Sequence, residues 1–226
     1  MKTYKKEKYC SKDEWLKARG IGGSDAAAIL HESNWLTLDE LFNRLVYKKE
    51  KKIKENNRMK EGTKAESHIR ELWSLDNPQF KVKNPPKRTY WLFRRLDYPL
   101  ITCTPDGLFK DESNNLYGLE IKDVDLIKSE TKTMWESNIL PNQYYIQILH
   151  YLVTMNDLKG VCLVAHLKYF KKNEETNKWE FDYAIERSYW VIRETAIKDI
   201  QFLESKEIEF IKENVEKEKM PKLVIK

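Results

Sequence analysis

The chain has 226 residues, of which 41% are hydrophobic and 34% are charged. This length accommodates one domain with a sizeable core and is short for two full domains. The composition is typical of a packed interior beneath a heavily charged surface, which excludes a largely disordered chain. The net charge of +5 is too small an excess to establish a nucleic-acid partner by itself.

The cysteines and the apolar stretches of the sequence exclude several other classes of protein. Three cysteines stand far apart, at positions 10, 103 and 162, so neither a disulfide framework nor a CxxC metal site is indicated. Residues 1–9 are lysine-rich without the apolar centre of a signal peptide, and no run of about eighteen apolar residues occurs. We therefore expect a cytoplasmic protein without a membrane partner.

Two basic segments stand out against a remainder that is net acidic. Residues 48–64 hold eight Lys or Arg and three Glu, and residues 81–95 hold six Lys or Arg and no acid. Charge runs are most often solvated faces of helices or loops. In the second segment, however, Tyr90, Trp91 and Phe93 alternate with basic residues, which favours contact with a polyanion.

The first third of the chain is predicted to be helical. Ser11 is the expected N-cap of a short first helix. A glycine-rich loop then leads into a second helix, with Ser24 or Asp25 as its N-cap. Thr37 is the expected cap of a third helix, and the spacing of apolar residues predicts a fourth over residues 61–75.

The pattern then changes to strands. Short β-rich runs alternate with turn clusters, so we expect a meander whose last strands span 101–104, 107–109 and 116–121. Pro141 suits the first turn of a core helix. Two further strands are predicted over 161–169 and 179–192, and Thr195 is the expected cap of a long last helix.

This order of elements predicts an α/β domain with a mixed β-sheet flanked by helices. We expect a single domain over residues 1–226, with a core at about 11–212 and a short charged C-terminal tail.

One group of residues has the pattern of a catalytic site. Asp106 follows Pro105 at a strand end, and fourteen positions later Glu120 begins a Glu-Ile-Lys triplet on the next strong strand. Because alternate residues of a strand share a face, Glu120 and Lys122 point the same way and Ile121 points into the core. Two carboxylates supply hard oxygen ligands for Mg²⁺, and a lysine can orient or help deprotonate a water beside a phosphate.

Taken alone, these short motifs have simpler explanations. In so charged a sequence, Glu-x-Lys also fits a surface hairpin with a cross-strand ion pair, and Pro-Asp-Gly is more often a plain turn. Together, and preceded by Glu66, they match the PD-(D/E)XK nuclease signature.

Four segments, in this order, resemble the phage lambda exonuclease and YqaJ-like viral recombinase family of the PD-(D/E)XK nuclease superfamily. They are GIGGSDAA at 20–27, GTKAE at 62–66, TPDGL at 104–108 with GLEIK at 118–122, and YYIQ at 144–147. The resemblance implies a restriction-endonuclease-like core. It also implies a 5′-to-3′ exonuclease that acts on ends of double-stranded DNA and leaves 3′ single strands for annealing.

The resemblance also assigns roles to individual residues. Asp106, Glu120 and the Ile121 carbonyl are expected to bind Mg²⁺, with Mn²⁺ as an alternative and two ions in the site; Glu66 is expected as a further acidic ligand. Lys122 is expected to position the attacking water. The remaining catalytic residue implied is Gln147.

Ser24 resembles the family's contact to the 5′-phosphate. Amides freed by glycines and the positive end of a helix dipole attract phosphate, which agrees with this role. In the family a basic partner lies a few residues before the serine, and here Lys17 and Arg19 are both candidates.

The partners implied are ends of double-stranded DNA, a single-strand annealing protein and two further copies of the chain in a homotrimer. A phage- or prophage-encoded protein of a bacterial host fits this set. Two alternatives remain open: a PD-(D/E)XK endonuclease of the restriction-like or junction-resolving kind, and a catalytically silent protein that binds DNA ends.

Overall fold

The computed structural model describes residues 2–49, 57–137 and 139–222. Its strands are β1 (Tyr4–Tyr9), β2 (Tyr90–Arg95), β3 (Thr102–Cys103), β4 (Gly107–Lys110), β5 (Leu116–Leu126), β6 (Leu158–Lys172) and β7 (Trp179–Ile192). Its helices are α1 (Lys12–Ala18), α2 (Gly23–Ile29), α3 (Leu38–Tyr47), α4 (Asn57–Asp76), α5 (Ser129–Glu136), α6 (Asn142–Thr154) and α7 (Ile197–Phe210). A π-helical turn, Ile211–Val215, continues α7. Within the described ranges, no helix is both long enough and apolar enough to cross a bilayer.

The strands form two sheets rather than the single mixed sheet that the sequence predicted. The first has the order β1-β2-β3 and is antiparallel. The second has the order β4-β5-β6-β7, and its central pair β5 and β6 is parallel while the outer pairs are antiparallel. A parallel pair needs a crossover connection, which α5 and α6 supply. Helices flank both sheets, so the predicted α/β class is confirmed.

Strand β1 lies before the predicted start of the core at residue 11. It pairs with β2 from Tyr4 opposite Arg95 to Tyr9 opposite Tyr90. Its lysines obscure the apolar residues by which a strand is predicted from sequence. In an edge strand, charged residues occupy exposed positions where a central strand has apolar ones. Tyr4 is nevertheless buried, and Glu7 accepts two hydrogen bonds from Arg94, each of 3.0 Å.

Helix α2 begins two to three residues earlier than predicted. Its N-cap is Gly22, whereas Ser24 and Asp25 lie inside the first turn. The Asp25 carboxylate reaches back and accepts a hydrogen bond of 2.8 Å from the N–H of Gly22. The side chain therefore caps the helix from its third position, which is the second half of a capping box.

The cap predicted for the last helix was also wrong. Helix α7 has Ala196 as its N-cap, and the Thr195 hydroxyl instead donates to the carbonyl of Ile192. The caps predicted for α1 and α3 are confirmed, since Ser11 and Thr37 each accept a hydrogen bond from the backbone N–H three residues later.

Helix α6 is the central helix of the larger core cluster and is buried along most of its length. At His150 it carries a buried polar contact. The ring Nδ1 lies 2.6 Å from Glu207 Oε1 on α7, and Nε2 lies 2.9 Å from the carbonyl of Thr102 on β3. Burial lowers the pKa of His150, but the charge of Glu207 and its hydrogen bond outweigh this effect and raise the pKa above its ordinary value. The contact ties α6 to α7 and to the first sheet.

Candidate active site

The Glu-Ile-Lys triplet lies in the middle of β5 with the alternation that the sequence predicted. Ile121 is 3% exposed and belongs to a smaller apolar cluster between α4 and the second sheet. Glu120 and Lys122 point to the opposite face, where Lys122 Nζ lies 2.6 Å from Glu120 Oε1. Burial lowers the pKa of Lys122, but the charges of Glu120 and Asp106 raise it above its ordinary value. The lysine is therefore a cation held between carboxylates.

Asp106 lies between β3 and β4, on the strand-to-strand connection that faces β5. Its Oδ2 accepts a hydrogen bond of 2.8 Å from the backbone N–H of Ile121. Burial and the charges of Glu120 and Glu66 raise the pKa of Asp106 well above its usual range, although Lys122 opposes them. Asp106 therefore meets the triplet from the neighbouring connection, as expected from the spacing.

Glu66 reaches the same group from α4. Burial and the charge of Glu120 raise its pKa, while Lys122 and Arg70 lower it. Three carboxyl groups from three separate parts of the chain thus share one region of negative potential, which Lys122 and, at Glu66, Arg70 oppose.

Gln147 and Tyr151 hold Glu120 in place from α6. The Gln147 amide donates to Glu120 Oε1 at 2.6 Å, and the Tyr151 hydroxyl donates to Glu120 Oε2 at 2.7 Å. Gln147 also donates to the Tyr151 hydroxyl at 2.9 Å. Tyr151 was not predicted from the sequence to be a site residue. Its signal was its position four residues after Gln147, which places both side chains on one face of a helix.

These residues line one cavity of about 380 Å³, which we call the site cavity. Its other end is formed by α1, the glycine loop and the start of α2. The residues that line that end include Lys12, Trp15, Arg19, Gly22, Gly23 and Ser24. A Cβ on Gly23 would lie 2.6 Å from Tyr151 Cε1 and 2.9 Å from Gln147 Cγ. Glycine at this position therefore serves close packing of the loop against the carboxylate end.

Of the two cations that the sequence offered as partners of Ser24, Arg19 lines the site cavity and Lys17 does not. Its guanidinium lies 4.9 Å from the centre of the Trp15 ring, which in turn stacks on Tyr90 with centroids 5.6 Å apart. Arg19 Nη2 is also 3.6 Å from Asp25 Oδ2. Lys17 is exposed and is not among the residues that line the cavity.

Arg44 of α3, which the sequence analysis did not single out, fixes the glycine loop. It donates to both oxygens of Asp25, at 3.1 and 2.7 Å, and to the carbonyl of Gly20 at 3.1 Å. Burial raises the pKa of Asp25, but Arg19 and Arg44 together lower it below its ordinary value. Two guanidinium groups share one carboxylate, so this end of the cavity keeps a net positive charge. The N–H of Gly22, expected to face a phosphate, donates to Asp25 instead.

Two arginines of the basic segment at 81–95 are engaged by contacts within the fold. Arg94 donates to Glu7 and to the carbonyls of Ala18 and Pro99, and Arg95 pairs with Asp97 and Glu204. Both are structural ties between elements. Residues 50–56 of the other basic segment lie outside the described residues.

The carboxylates have the donor chemistry that a divalent cation requires. In the part of the chain that the structure describes, no three Asp, Glu, His or Cys side chains are already gathered around a single point. Glu120 is instead turned toward Lys122, Gln147 and Tyr151. Burial and the charge of Glu120 nevertheless raise the pKa values of Asp106 and Glu66, and a bound cation would offset this concentration of negative charge. The residues fit Mg²⁺, with Glu120 reoriented toward it.

Comparison with known proteins agrees with this geometry. Residues 14–157 match the YqaJ-like viral recombinase domain. The chain is 26% identical over 146 residues to "Uncharacterized protein YqaJ" of Bacillus subtilis (strain 168), an alignment that covers 63% of the chain and 42% of that relative. The chain thus spans less than half the length of the relative.

Among solved structures, the chain resembles the crystal structure of an alkaline exonuclease (LHK-Exo) from Laribacter hongkongensis. The TM-score is 0.55 at 18% identity, and the match covers 91% of this chain and 95% of the other. At this identity the likeness concerns the fold, and it confirms the PD-(D/E)XK-like core. The match to the recombinase domain extends over more than half of the sequence and includes the residues of the site cavity except Lys12. The chain therefore belongs to the YqaJ-like viral recombinase family.

Proposed function

We propose that the protein is a Mg²⁺-dependent 5′-to-3′ exonuclease that degrades one strand from ends of double-stranded DNA. The products would be 3′ single-stranded overhangs for recombination by strand annealing. The observation that carries this proposal is the site cavity itself. It joins three carboxylates and a lysine at one end to a net positive, hydroxyl-bearing end around Arg19 and Ser24.

At the acidic end, Asp106, Glu120 and the Ile121 carbonyl would hold the metal ion, with Glu66 as a further ligand. Mn²⁺ would be an alternative to Mg²⁺, and a second ion would share the site. A divalent ion supplies neutralising charge at the phosphate to be cleaved. The Lys122 ammonium orients the attacking water and stabilises the negative charge that develops on the phosphate oxygens.

Gln147 supports this chemistry through Glu120. Its amide and the Tyr151 hydroxyl each hold one oxygen of that carboxylate. Partners of this kind fix the orientation of a metal ligand. They act as positioning residues, since the contact is to the carboxylate and not to the substrate.

At the basic end, Ser24 and Arg19 would hold the 5′-terminal phosphate. The Ser24 side chain is exposed and lines the cavity, and its hydroxyl can donate to a phosphate oxygen. Arg19 supplies a planar pair of charged donors of the kind that recognises phosphate. The 5′ end would be anchored there while the next phosphodiester bond is cleaved at the acidic end of the cavity. This arrangement would give degradation its 5′-to-3′ direction. Lys17 remains the alternative cation.

The deciding experiment compares linear and circular duplexes of the same sequence, with Mg²⁺ and with a chelator. We expect release of nucleotides from the 5′ ends of the linear duplex, only with the metal. Glu120→Gln is the matched inactive control, because it keeps the size of the side chain and its contact with Gln147. Cutting of the circle would identify an endonuclease instead. Binding of ends without cleavage by the wild-type protein would identify a catalytically silent end-binding protein.

The anchoring of the 5′-phosphate, on which the 5′-to-3′ direction of degradation depends, is tested with duplexes that carry either 5′-phosphate or 5′-hydroxyl ends. A charge-assisted contact contributes roughly 1.5 to 3 kcal/mol, which corresponds to about a ten- to hundredfold preference for the phosphorylated end. Ser24→Ala and Arg19→Ala should reduce this preference, and Lys17→Ala should leave it unchanged. Equal rates on both ends by the wild-type protein would contradict the anchoring role.

A homotrimer and a single-strand annealing protein are the partners we propose. A ring of three chains would retain its hold on a duplex during degradation, an argument that rests on family analogy. Light scattering should then give three times the 27.1 kDa mass of the chain. A single-chain mass over a broad concentration range would contradict the ring.

A further inference from the structure

A second cavity, of about 730 Å³, lies on the other side of β2 from the site cavity. Tyr90 and Leu92 line the site cavity, whereas Trp91 and Phe93 line the second one, because alternate residues of a strand face opposite sides. Its volume falls within the range of small-ligand sites. We call it the lysine cavity, since its lining includes Lys2, Lys6, Lys81, Lys83 and Lys110.

The charge of the lysine cavity is strongly one-sided. Among the described residues that line it, Asp111 is the single acid, and its carboxylate already accepts hydrogen bonds from Asn115. Lys2 is paired with Asp157, which lies outside the lining, at 3.1 Å. Over residues 2–49, 57–137 and 139–222, no ion pair is formed by Lys6, Lys81 or Lys83.

The wall of the cavity that β2 provides is aromatic. The Lys6 ammonium lies over the face of the Trp91 ring, 3.0 Å from its centre, and 5.6 Å from the centre of the Phe93 ring. Burial, and then the charges of Lys8, Lys83 and Lys2, lower the pKa of Lys6. An anion that drew Lys6 away from the ring would relieve this repulsion and would leave an aromatic face open for stacking.

Trp91 also carries an unpartnered donor. The residue is 8% exposed, and its Nε1 is buried without a hydrogen-bond partner in the described part of the chain. An indole N–H is a donor that usually finds an acceptor when it is buried. This donor is therefore left unsatisfied among the described residues.

We propose that the lysine cavity binds an unpaired nucleotide, with the phosphate held by Lys6, Lys81 and Lys83 and the base stacked on Trp91. Cationic side chains together with an aromatic platform are the features that recognise single-stranded nucleic acid. An inorganic anion would leave the aromatic wall unused. Bases inside a duplex are already stacked on one another and cannot present a face to Trp91.

This site is separate from the site cavity and does not depend on hydrolysis there. The two cavities lie on opposite faces of the same strand, so one protein can hold nucleic acid at both. A chain without nuclease activity would still bind an unpaired nucleotide at Trp91. The two proposals can therefore fail independently.

The test follows the indole N–H signals of the ¹⁵N-labelled protein in a chelator, so that no strand is degraded. Trp91→Phe assigns the signal of Trp91. The probes are a five-residue thymidine oligonucleotide, thymidine 5′-monophosphate and inorganic phosphate. We expect the oligonucleotide to shift the Trp91 signal. A shift with the monophosphate as well would identify a free nucleotide as a ligand, and a shift with the oligonucleotide alone would identify a strand segment.

Charge reversal provides the second measurement. Lys81→Glu with Lys83→Glu should weaken binding of the oligonucleotide at least about tenfold at low salt and reduce its salt dependence. Lys178→Glu with Lys198→Glu makes the same change in net charge on exposed residues outside the cavity, and should leave the affinity unchanged. Circular dichroism checks that both variants are folded.

Three outcomes would overturn the inference. The first is a Trp91 signal that stays in place while the oligonucleotide saturates the protein. The second is equal affinity of the two charge-reversal variants. The third is a Trp91 shift of the same size with inorganic phosphate alone, since a nucleotide base would then be unnecessary. Hydrolysis of duplex DNA, measured in parallel, reports on the site cavity alone.

Discussion

The Asp106 carboxylate accepts a hydrogen bond of 2.8 Å from the backbone N–H of Ile121, so it is tied to the centre of β5. Asp106→Asn preserves this acceptor and removes a charge that burial, Glu120 and Glu66 make unfavourable. We expect nuclease activity to fall by more than about a hundredfold, beyond the loss typical of a supporting partner. In a chelator at neutral pH, the free energy of unfolding should rise.

The rise in the free energy of unfolding caused by Asp106→Asn should depend on pH with a definite sign. An acid whose pKa is raised by folding destabilises the protein fully above its folded pKa, and this penalty disappears as the pH falls from the folded pKa to the unfolded pKa. The gain from Asp106→Asn should therefore shrink as the pH falls. Asp106→Ala, which also removes the acceptor for Ile121, should be less stable than Asp106→Asn. Full activity of the Asn variant would remove Asp106 from the site.

Tyr151→Phe tests the support of Glu120. The variant loses the hydroxyl that lies 2.7 Å from Glu120 and 2.9 Å from Gln147. Activity should fall about ten- to hundredfold, and stability by about 1 kcal/mol. Tyr145→Phe is the control on the same helix, because its hydroxyl contacts exposed Asp199. Equal activities of the two variants would show that Tyr151 is not a positioning residue.

Gly23→Ala tests the packing of the glycine loop. The added methyl would lie 2.6 Å from Tyr151 and 2.9 Å from Gln147, so the loop or these side chains must move. We expect a loss of about 1 to 3 kcal/mol in stability and a loss of activity. Gly62→Ala is the matched control inside α4, where a Cβ meets nothing within 4 Å. It should gain up to about 1 kcal/mol, and a loss there would contradict the packing argument.

Glu7→Gln tests whether β1 belongs to the folded core. Burial opposes ionisation of Glu7, but hydrogen bonds from Arg94, Tyr9 and Lys5 outweigh it and lower its pKa from 4.5 to about 2. Such a group stabilises the fold above its unfolded pKa, and the contribution is lost as the pH falls toward the folded value. The variant should lose roughly 1 to 3 kcal/mol at pH 7.

The difference between wild type and Glu7→Gln should close between pH 4.5 and about 2 in denaturant titrations at several pH values. Glu213→Gln is the exposed control, because Glu213 pairs with Lys217 in solvent. It should change stability very little. A constant difference for Glu7→Gln across the acid range would contradict a role for the charge.

Sequence reasoning succeeded where one strand or helix carries the information. The strand alternation of Glu120 and Lys122, the cap at Ser11 and the buried stripe of α6 depend on spacing along the chain. The pairing of β1 with β2 joins residues that are 81 to 91 positions apart in the chain, and local patterns do not encode such pairing. For the same reason, the sequence did not predict side chains that reach the site from another element, such as Arg44.

The basic segment around Arg94 illustrates the same point for charge. Its composition favoured contact with a polyanion, but Arg94 forms an ion pair with Glu7, which is far away in sequence. The lysines that do converge, Lys6 and Lys83 among them, come from separate segments. The net charge of a sequence segment therefore says how many charged side chains it carries. The tertiary structure decides which of them face a ligand.

The parallel pairing of β5 with β6 limits how far this fold can be divided. β6 begins at Leu158, immediately after the family match ends. A fragment confined to 14–157 would turn β5, which carries the Glu-Ile-Lys triplet, into an edge strand with open backbone groups, and His150 would lose Glu207. The recognisable family segment is therefore smaller than the cooperative folding unit. A graft of that segment into another protein should not transfer the activity unless the last two strands and α7 accompany it.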